Sequence, residues 1–538
     1  QLKEKHDLTT SRSERMRILT TLPRSWSIKQ AARVFGVSRY LIRRAKQLVA
    51  EKGIMSSPNP KIGSQTLPTH TEEEIKRFYL SDDVSRVMPG KKDFVSVVQV
   101  QGKRVHQQKR LLLCNLREAY REFKERHPNL KIGFTKFAML RPRECVLAGA
   151  GGTHSVCVCT IHQNVKLMIV SGKLECMTDG QLKHYRDCFA TMQCNPPNIE
   201  CYFSTCDQCP GTEPLHALLQ AAADEREIDT VEVKQWTTTD RASLETKILT
   251  VDDFIDCFIG MLKKLLLHDF TAKMQSSFMQ QKKESLKPGE FLVVADFSEN
   301  YGFVVQDEVQ SFHWNNGSAT VHPFVSYYME AGKLNSLCFI IISESTVHDT
   351  IAVHLFQGKL VTFLSQKFGG LKPQKIFYFS DGCAAQYKNC KNFSNLCYHM
   401  EDFGVPAEWH FFATSHGKSA GDGAGGTLKS LASRASLQRL YCDHILTAQQ
   451  LYEFAVGEIK GMHFGFATLT EHDQEAKLLE ARHERCRKVP GTQKVHSVIP
   501  ISSTVVEVKL FSNSTVSRIE RVSLGQTVAS LSISAISG

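Results

Sequence analysis

The chain has 538 residues, enough for two to four domains with cores of their own. Its 42% hydrophobic and 22% charged residues are ordinary for a globular protein. No apolar run approaches the ~18 residues of a membrane-spanning helix and no signal peptide is read, so a chain that avoids membranes is expected. The net charge of +11 is unevenly spread: residues 1–60 hold 13 Lys or Arg against 4 Asp or Glu, a local net of +9. Such a basic segment on a nearly neutral remainder points to an acidic partner, most often nucleic acid, although a solvated face would look the same.

The basic segment carries SIKQAARVFGVSRYLIRRAKQL (27–48), which reads as two short helices around a turn. Ile28, Ala31, Ala32 and Phe35 have helical spacing, Gly36 breaks the helix, and Ser38 can cap the next one. Leu41, Ile42 and Ala45 then form a buried stripe that leaves Arg39, Tyr40, Arg43, Arg44 and Lys46 outward. This is the layout of a helix-turn-helix docking in a major groove of double-stranded DNA. A Pro- and Ser-rich linker (56–71) follows, then residues 72–150, read as a second helical module that extends the DNA contact.

Seventeen cysteines in a large chain without a secretion signal suggest reduced, partly metal-bound thiols, and eight of them fall between Cys157 and Cys209. CVCTIH supplies Cys157, Cys159 and His162; CYFSTCDQC supplies Cys201, Cys206 and Cys209, with Cys188 and Cys194 between. A C-x-C-x2-H half and a C-x2-C half can fold around tetrahedral, structural Zn²⁺. Eight cysteines exceed one four-ligand site, so either two ions bind or some thiols are bystanders, Cys176 and His184 being the weakest candidates. This segment is set at 151–215, followed by a helical connector at 216–289.

FLVVADFSENY (291–301) poses the central question, because a strand apolar on both faces runs into Asp296. Further strands are expected at 301–306 and 336–343, a helix at 347–368, and a strand KIFYFSDG (375–382) that again ends in an acid, Asp381. A helix closed by Gly404, a strand at 407–415 and a glycine-rich segment with Asp422 that turns helical near Thr427 complete the series. Three strands, helix, strand, helix, strand, helix is the connectivity of an RNase H-like domain, placed at 290–465. There the first and fourth strands lie side by side and bring their terminal acids together, and a third acid comes from the last helix. One Asp at a strand end is commonly a turn residue or cap; two on the strands that should pair are less common. Close carboxylates repel unless a cation is shared, so Mg²⁺ or Mn²⁺ on Asp296, Asp381 and Asp422 is expected, with phosphodiester chemistry as the outcome. Glu299, Glu408 and Glu458 are rivals for the third place. His416 and Lys418 are candidates for contact with the scissile phosphate, although plain surface residues would look the same. SFHWNN (311–316) reads first as an ordinary edge segment, with contact of Trp314 and Asn315 with DNA as the alternative. Residues 466–538 read as a charged helix, a small β-rich module and a disordered end.

ADFSENY, QSFHWNN, SDGCAAQYKNCKNF and FFATSHGKSAGDGAGGT together resemble the catalytic core of eukaryotic cut-and-paste DNA transposases of the DDE or DDD type, with a likeness to the Sola group. LRPRECVLAGAGGTHSVCVCTIH and CYFSTCDQCP are similar to the region before that core, and the likeness covers residues 72–465. It implies metal-dependent cleavage at transposon terminal repeats and transfer of the 3′-hydroxyl into target DNA. Asp296 and Asp381 match the first two acids of that pattern and Asp422 the third. It also implies a nuclear protein acting as a homodimer or higher oligomer, since two ends must be held together. One departure stands out: Gly421 occupies the place where the pattern has a cysteine. It keeps open a second reading, a catalytically inactive, transposon-derived DNA-binding protein. A simple RNase H or exonuclease has less need of a helix-turn-helix. The expected fold class is therefore multidomain α+β: helix-turn-helix, helical and Cys/His-rich zinc-binding region, RNase H-like α/β core and C-terminal β-rich module.

Overall fold

Two stretches of the computed structural model form separate compact units, residues 1–72 and 73–538. The structure describes residues 1–58, 67–81, 84–87, 94–98, 104–112, 114–147, 159–238, 242–305, 317–414, 417, 420–438 and 444–524. The first unit contains α1 (Arg12–Thr20), α2 (Ile28–Phe35) and α3 (Arg39–Lys52). Gly36 ends α2 at φ 65°, a left-handed conformation that glycine adopts without strain, and the Ser38 side chain accepts from the Leu41 backbone N–H to start α3. Met16, Leu19, Ala31, Phe35, Ile42, Ala45 and Leu48 close a small core, so the two helices and the turn form where the spacing places them. Arg39, Tyr40, Arg43 and Arg44 are exposed on α3. Lys46 is not turned outward: its ammonium donates to the carbonyls of Trp26 and Arg24 and ties α3 to the preceding loop.

The second unit opens differently from the expected helical module. Residues 104–108 and 110–112, inside the module read as helical, are strands, paired with Phe94–Val98 and Ser85–Val87 respectively. The helix starts only at Leu116, where Asn115 and Glu118 make a reciprocal capping box that fixes its first turn. The connector likewise holds an antiparallel hairpin, Thr230–Thr238 with Ala242–Thr250. Helix α4 (Thr160–Ser171) packs beside the start of the long helix α5 (Val251–Glu284) through Val165, Met168, Phe254, Phe258 and Leu262.

A ten-stranded mixed sheet follows: β1 (Glu290–Ala295), β2 (Ser298–Gly302), β3 (Ser318–Glu330), β4 (Lys333–Ser343), β5 (Lys375–Ser380), β6 (Ala407–Phe411), β7 (His463–Ala467), β8 (Ser497–Ser502), β9 (Val505–Lys509) and β10 (Arg518–Arg521). Its order is β7-β4-β3-β1-β5-β6-β8-β9-β10, with β2 beside β3. β3 runs antiparallel to β1 and β4, whereas β5 is parallel to both β1 and β6. Helix α6 (Thr350–Lys367) crosses from β4 to β5, α7 (Cys390–Cys397) lies between β5 and β6, and α8 (Ala420–Gln438) follows β6.

β1 is apolar throughout because both of its faces are covered. Phe291, Val293 and Ala295 pack with Ala352, Phe356 and Leu360 of α6, whereas Leu292 and Val294 join Phe377, Phe379 and Phe278 of α5 on the other face. At about 1.5–3 kcal/mol for each large apolar side chain, this burial fixes the register of β1 and with it the position of Asp296.

Two sequence expectations need correction here. The second long strand is β3, not 301–306; among the described residues of that stretch only Tyr301 and Gly302 are strand, at the end of the short β2. His322 and Pro323 disguise β3 as a loop, yet Pro323 lies just beyond the last β1–β3 pair, Ala295–Phe324, where no β1 bond is required of it. Second, the C-terminal strands are no separate module. β8 pairs with β6 at Trp409–Val498 and His410–Ser497, extending the central sheet past the expected boundary at 465. The charged helix is present as α9 (Leu469–Glu484). Trp314, Asn315 and the last dozen residues, expected to be disordered, lie outside the described residues. No helix among the described residues is long and apolar enough to cross a membrane.

Candidate active site and metal centres

Val294 and Phe379 are the last paired residues of the parallel β1–β5 ladder. Asp296 and Asp381 each lie two residues further on, so the two acids leave adjacent strands at the same level of the sheet. Asp381 accepts from the Cys383 backbone N–H at 3.1 Å. Burial pushes its carboxyl above the ordinary range; the Cys383 N–H opposes this, and the nearby Asp422 carboxylate adds to the rise. Tyr387, fully buried, is pushed well up by burial and then by Asp296 and Asp381, so both acids lie near its hydroxyl. That hydroxyl is hydrogen-bonded to His322 Nε2 at 2.8 Å, and burial holds His322 neutral, down to about 3.

Asp422 is exposed in the first turn of α8. Gly425, one turn later on the same helix face, lets the helix close on β2: a Cβ there would stand 2.8 Å from Ser298 Oγ. Gly417 is also close-packed, since a Cβ would meet that of Asp381 at 3.2 Å. The Gly417 backbone therefore passes against Asp381, while His416 and Lys418 lie outside the described residues.

Sequence reading missed part of the surroundings. Lys388, buried beside Gly382, donates to the Gln493 carbonyl at 2.9 Å; burial lowers its ammonium to about 8 although Asp381 opposes the shift. His348 stacks on Phe297 with ring centroids 4.4 Å apart and is hydrogen-bonded to Asn300 Oδ1 at 2.7 Å. Burial and then Lys429 lower His348, and Lys429 in turn lies near Glu299. Asn300 and His348 sat in the ENY and VHDT stretches, but no spacing links segments so far apart.

The rival acids divide. Glu299 is on the rim, next to the acid cluster in sequence. Glu408 lies at the start of β6, the opposite end of a parallel strand pair from Asp381, bound to Lys375 at 2.8 Å and His410 at 3.1 Å. Glu458 ends the helix Ala448–Glu458.

The cysteines sort into two groups. Cys194, Cys201, Cys206 and Cys209 place their sulfurs within 4.8 Å of one another. Cys194 Sγ is 3.8 Å from both Cys206 Sγ and Cys209 Sγ. Four thiolates at ~2.3 Å around tetrahedral zinc stand about 3.8 Å apart, so this donor set fits a structural zinc ion. Cys159 and His162 do not join it; they meet His268 of α5 instead. Cys188 belongs to neither group, being fully buried in the helical core with its thiol against the His184 carbonyl. His184 caps the helix Tyr185–Met192 and Cys176 is exposed. Cys157 lies outside the described residues.

Three family models match the chain, each described as a domain of unknown function: DUF8699 over residues 66–149, DUF8700 over 160–266 and DUF8701 over 275–512. The last spans all three acids and the sheet through β9. No curated protein and no solved structure matches the chain.

Proposed function

We propose that this chain is a DNA transposase, or a copy derived from one, whose central sheet is an RNase H-like core for metal-dependent strand cleavage and transfer. The observation that carries this reading is the level placement of Asp296 and Asp381 on neighbouring parallel strands, with Asp422 delivered beside Asp381 by the helix after the fifth strand of the series. In the order β4-β3-β1-β5-β6, the third, second, first, fourth and fifth long strands stand side by side, as that fold requires.

Three carboxylates, one of them already raised by burial and by its neighbour, fit a site that shares divalent cations. Mg²⁺ or Mn²⁺ bound there would supply activation of a water or 3′-hydroxyl and neutralisation of the leaving oxygen. Asp296 and Asp381 hold their places through the buried strands behind them, and the Tyr387–His322 pair closes the floor. Gly417 holds its own backbone against Asp381, and His416 and Lys418 are the proposed contacts for the scissile phosphate. Arg39, Tyr40, Arg43 and Arg44 present the DNA-contacting face of the first unit, and the four-cysteine zinc site is structural. A nuclear, dimeric protein acting on terminal repeats and target DNA completes the proposal.

The test is cleavage of duplexes carrying the element's own terminal repeats, in Mg²⁺ or Mn²⁺, by the full chain and by its Asp296→Ala and Asp381→Ala variants. Cleavage that either substitution abolishes supports the proposal. Gly421, which departs from the family pattern, favours a second reading: specific binding with no cleavage in either metal would make this copy a DNA-binding protein only.

A further inference from the structure

We infer that the chain holds a second transition-metal centre, of the zinc class, built from Cys159, His162 and His268 and separate from the four-cysteine site. The inference is independent of the proposed reaction.

Cys159 caps α4 and His162 lies three residues on, so both side chains leave one face of the helix start. His268 reaches them from α5. One donor atom from each of the three residues lies within 4.8 Å of the other two. Cys159 Sγ is 3.2 Å from His268 Nε2, and the two imidazole rings are 5.3 Å apart at 60°. In tetrahedral zinc with Zn–S ~2.3 Å and Zn–N ~2.0 Å, a sulfur and a nitrogen stand about 3.5 Å apart. The observed contact is within a few tenths of an ångström of that edge, and the crossed rings converge rather than stack.

The surroundings resemble a metal's outer shell. His162 Nε2 is bonded to Asp269 Oδ1 at 3.1 Å, which makes Nδ1 the ligating nitrogen. Asp269 is itself held by the Tyr185 hydroxyl at 3.3 Å and by Lys273 at 2.9 Å. A carboxylate orienting a ligand histidine, and fixed in turn by other groups, sets the tautomer and strengthens the ligand. A cysteine and two imidazoles suit zinc better than a hard cation such as Mg²⁺. Asp269 and Cys159 are both buried, so competing water is largely excluded.

Position gives the site its purpose. Seven residues after His268, Gln275 donates to the carbonyls of Phe411 and His496 and to Ser512 Oγ, and accepts from the Ser512 N–H. Gln275 thus fastens α5 to the end of β6. An ion at His268 would fasten the same helix, two turns earlier, to α4, fixing the Cys/His-rich region in register with the sheet.

The experiment measures zinc per chain in the purified full-length protein, followed by Co²⁺ substitution. Two ions are expected, falling to one in His268→Gln and to one in a Cys206→Ser/Cys209→Ser double variant. In the His268→Gln protein the cobalt spectrum of a four-thiolate site should persist, which also shows that the fold survives. A single ion that His268→Gln leaves in place, and that the double cysteine variant removes, overturns the inference. Should His268→Gln lose both ions, Asp269→Asn decides. An affinity about 10–100-fold weaker for one of the two ions supports the centre, and unchanged affinity for both overturns it.

Discussion

Asp296 and Asp381 end adjacent parallel strands at one level, each two residues past the Val294–Phe379 pair. Neither can move without shifting a strand buried on both faces, so their separation is set by the sheet rather than by loop conformation. Replacing either with Asn keeps the shape and removes the charge. Cleavage is expected to fall about 10³-fold, since a metal ligand is worth several kcal/mol of charge stabilisation in the transition state. Single-turnover cleavage assays measure this, and a variant that cuts at the parent rate would remove that acid from the site.

Asp381→Asn should also change stability, with a sign set by the carboxyl itself. Burial and then Asp422 raise its folded pKa above the unfolded value of ~3.9. Its contribution to stability is therefore fully present below that value and is lost as pH rises through the folded pKa. Without divalent metal, Asp381→Asn should melt higher than the parent at neutral pH, and the gap should close on acidification. Adding Mg²⁺ should stabilise the parent and not the variant. Thermal melts across about pH 4–8 with and without Mg²⁺ test this; a variant that melts lower than the parent at neutral pH would mean the carboxylate is held by groups other than a cation.

How much of this was legible in the sequence depends on how local each signal was. Asp296 and Asp381 stood out because an apolar run of strand length ends abruptly in an acid, and the turn at Gly36 and Ser38 was marked by its own capping residues. β3 was missed because Pro323 argues against a central strand until one sees where β1 stops pairing. The cysteines were grouped by spacing alone. Spacing joined Cys159 and His162 to Cys201, Cys206 and Cys209, whereas the fold sends them to His268, over a hundred residues away. No pattern in one sequence announces such a partner, and the same holds for His348 with Asn300.

Gly425 positions Asp422. A side chain here would push against Ser298 and tilt α8 away from β2. Gly425→Val should cost about 1–3 kcal/mol through overpacking and reduce cleavage while leaving DNA binding by the first unit intact. Gly425→Ala combined with Ser298→Gly should recover most of both, because the space returns and helix propensity improves by about 1 kcal/mol. A double-mutant cycle on melting and cleavage measures the coupling. Additive effects would show that the contact does not matter.

Arg43 and Arg44 are exposed on α3, where Arg44 donates to the neighbouring Gln47 Oε1 at 2.9 Å. If both meet DNA phosphates, the Arg43→Ala/Arg44→Ala double variant should lower the slope of log K against log salt by about 2. Lys46→Ala should instead destabilise the unit, because its ammonium serves the Trp26 and Arg24 carbonyls. Binding titrations at several salt concentrations and melting of the variants separate the two roles. An unchanged slope in the double variant would move the DNA contact elsewhere.

Glu408 supplies the control that separates a structural acid from a catalytic one. It lies at the far end of the sheet from Asp381, between His410 and Lys375. Burial alone would raise its carboxyl, but the bonds from His410 and Lys375 win and hold it down to about 2. Its stabilisation is therefore present above the unfolded value of ~4.3 and lost as pH falls through the folded one. Glu408→Gln should destabilise the protein by about 1–3 kcal/mol at neutral pH, because Lys375 loses its counter-charge and the buried His410 ring loses a charged hydrogen-bond partner. The deficit should shrink below about pH 4. Cleavage per folded molecule should stay close to the parent value, unlike that of Asp296→Asn. Melting curves over pH, paired with cleavage normalised to the folded fraction, test both halves. A Glu408→Gln protein that folds well and no longer cuts would transfer the third carboxylate from Asp422 to Glu408, and with it the site to the other end of β6.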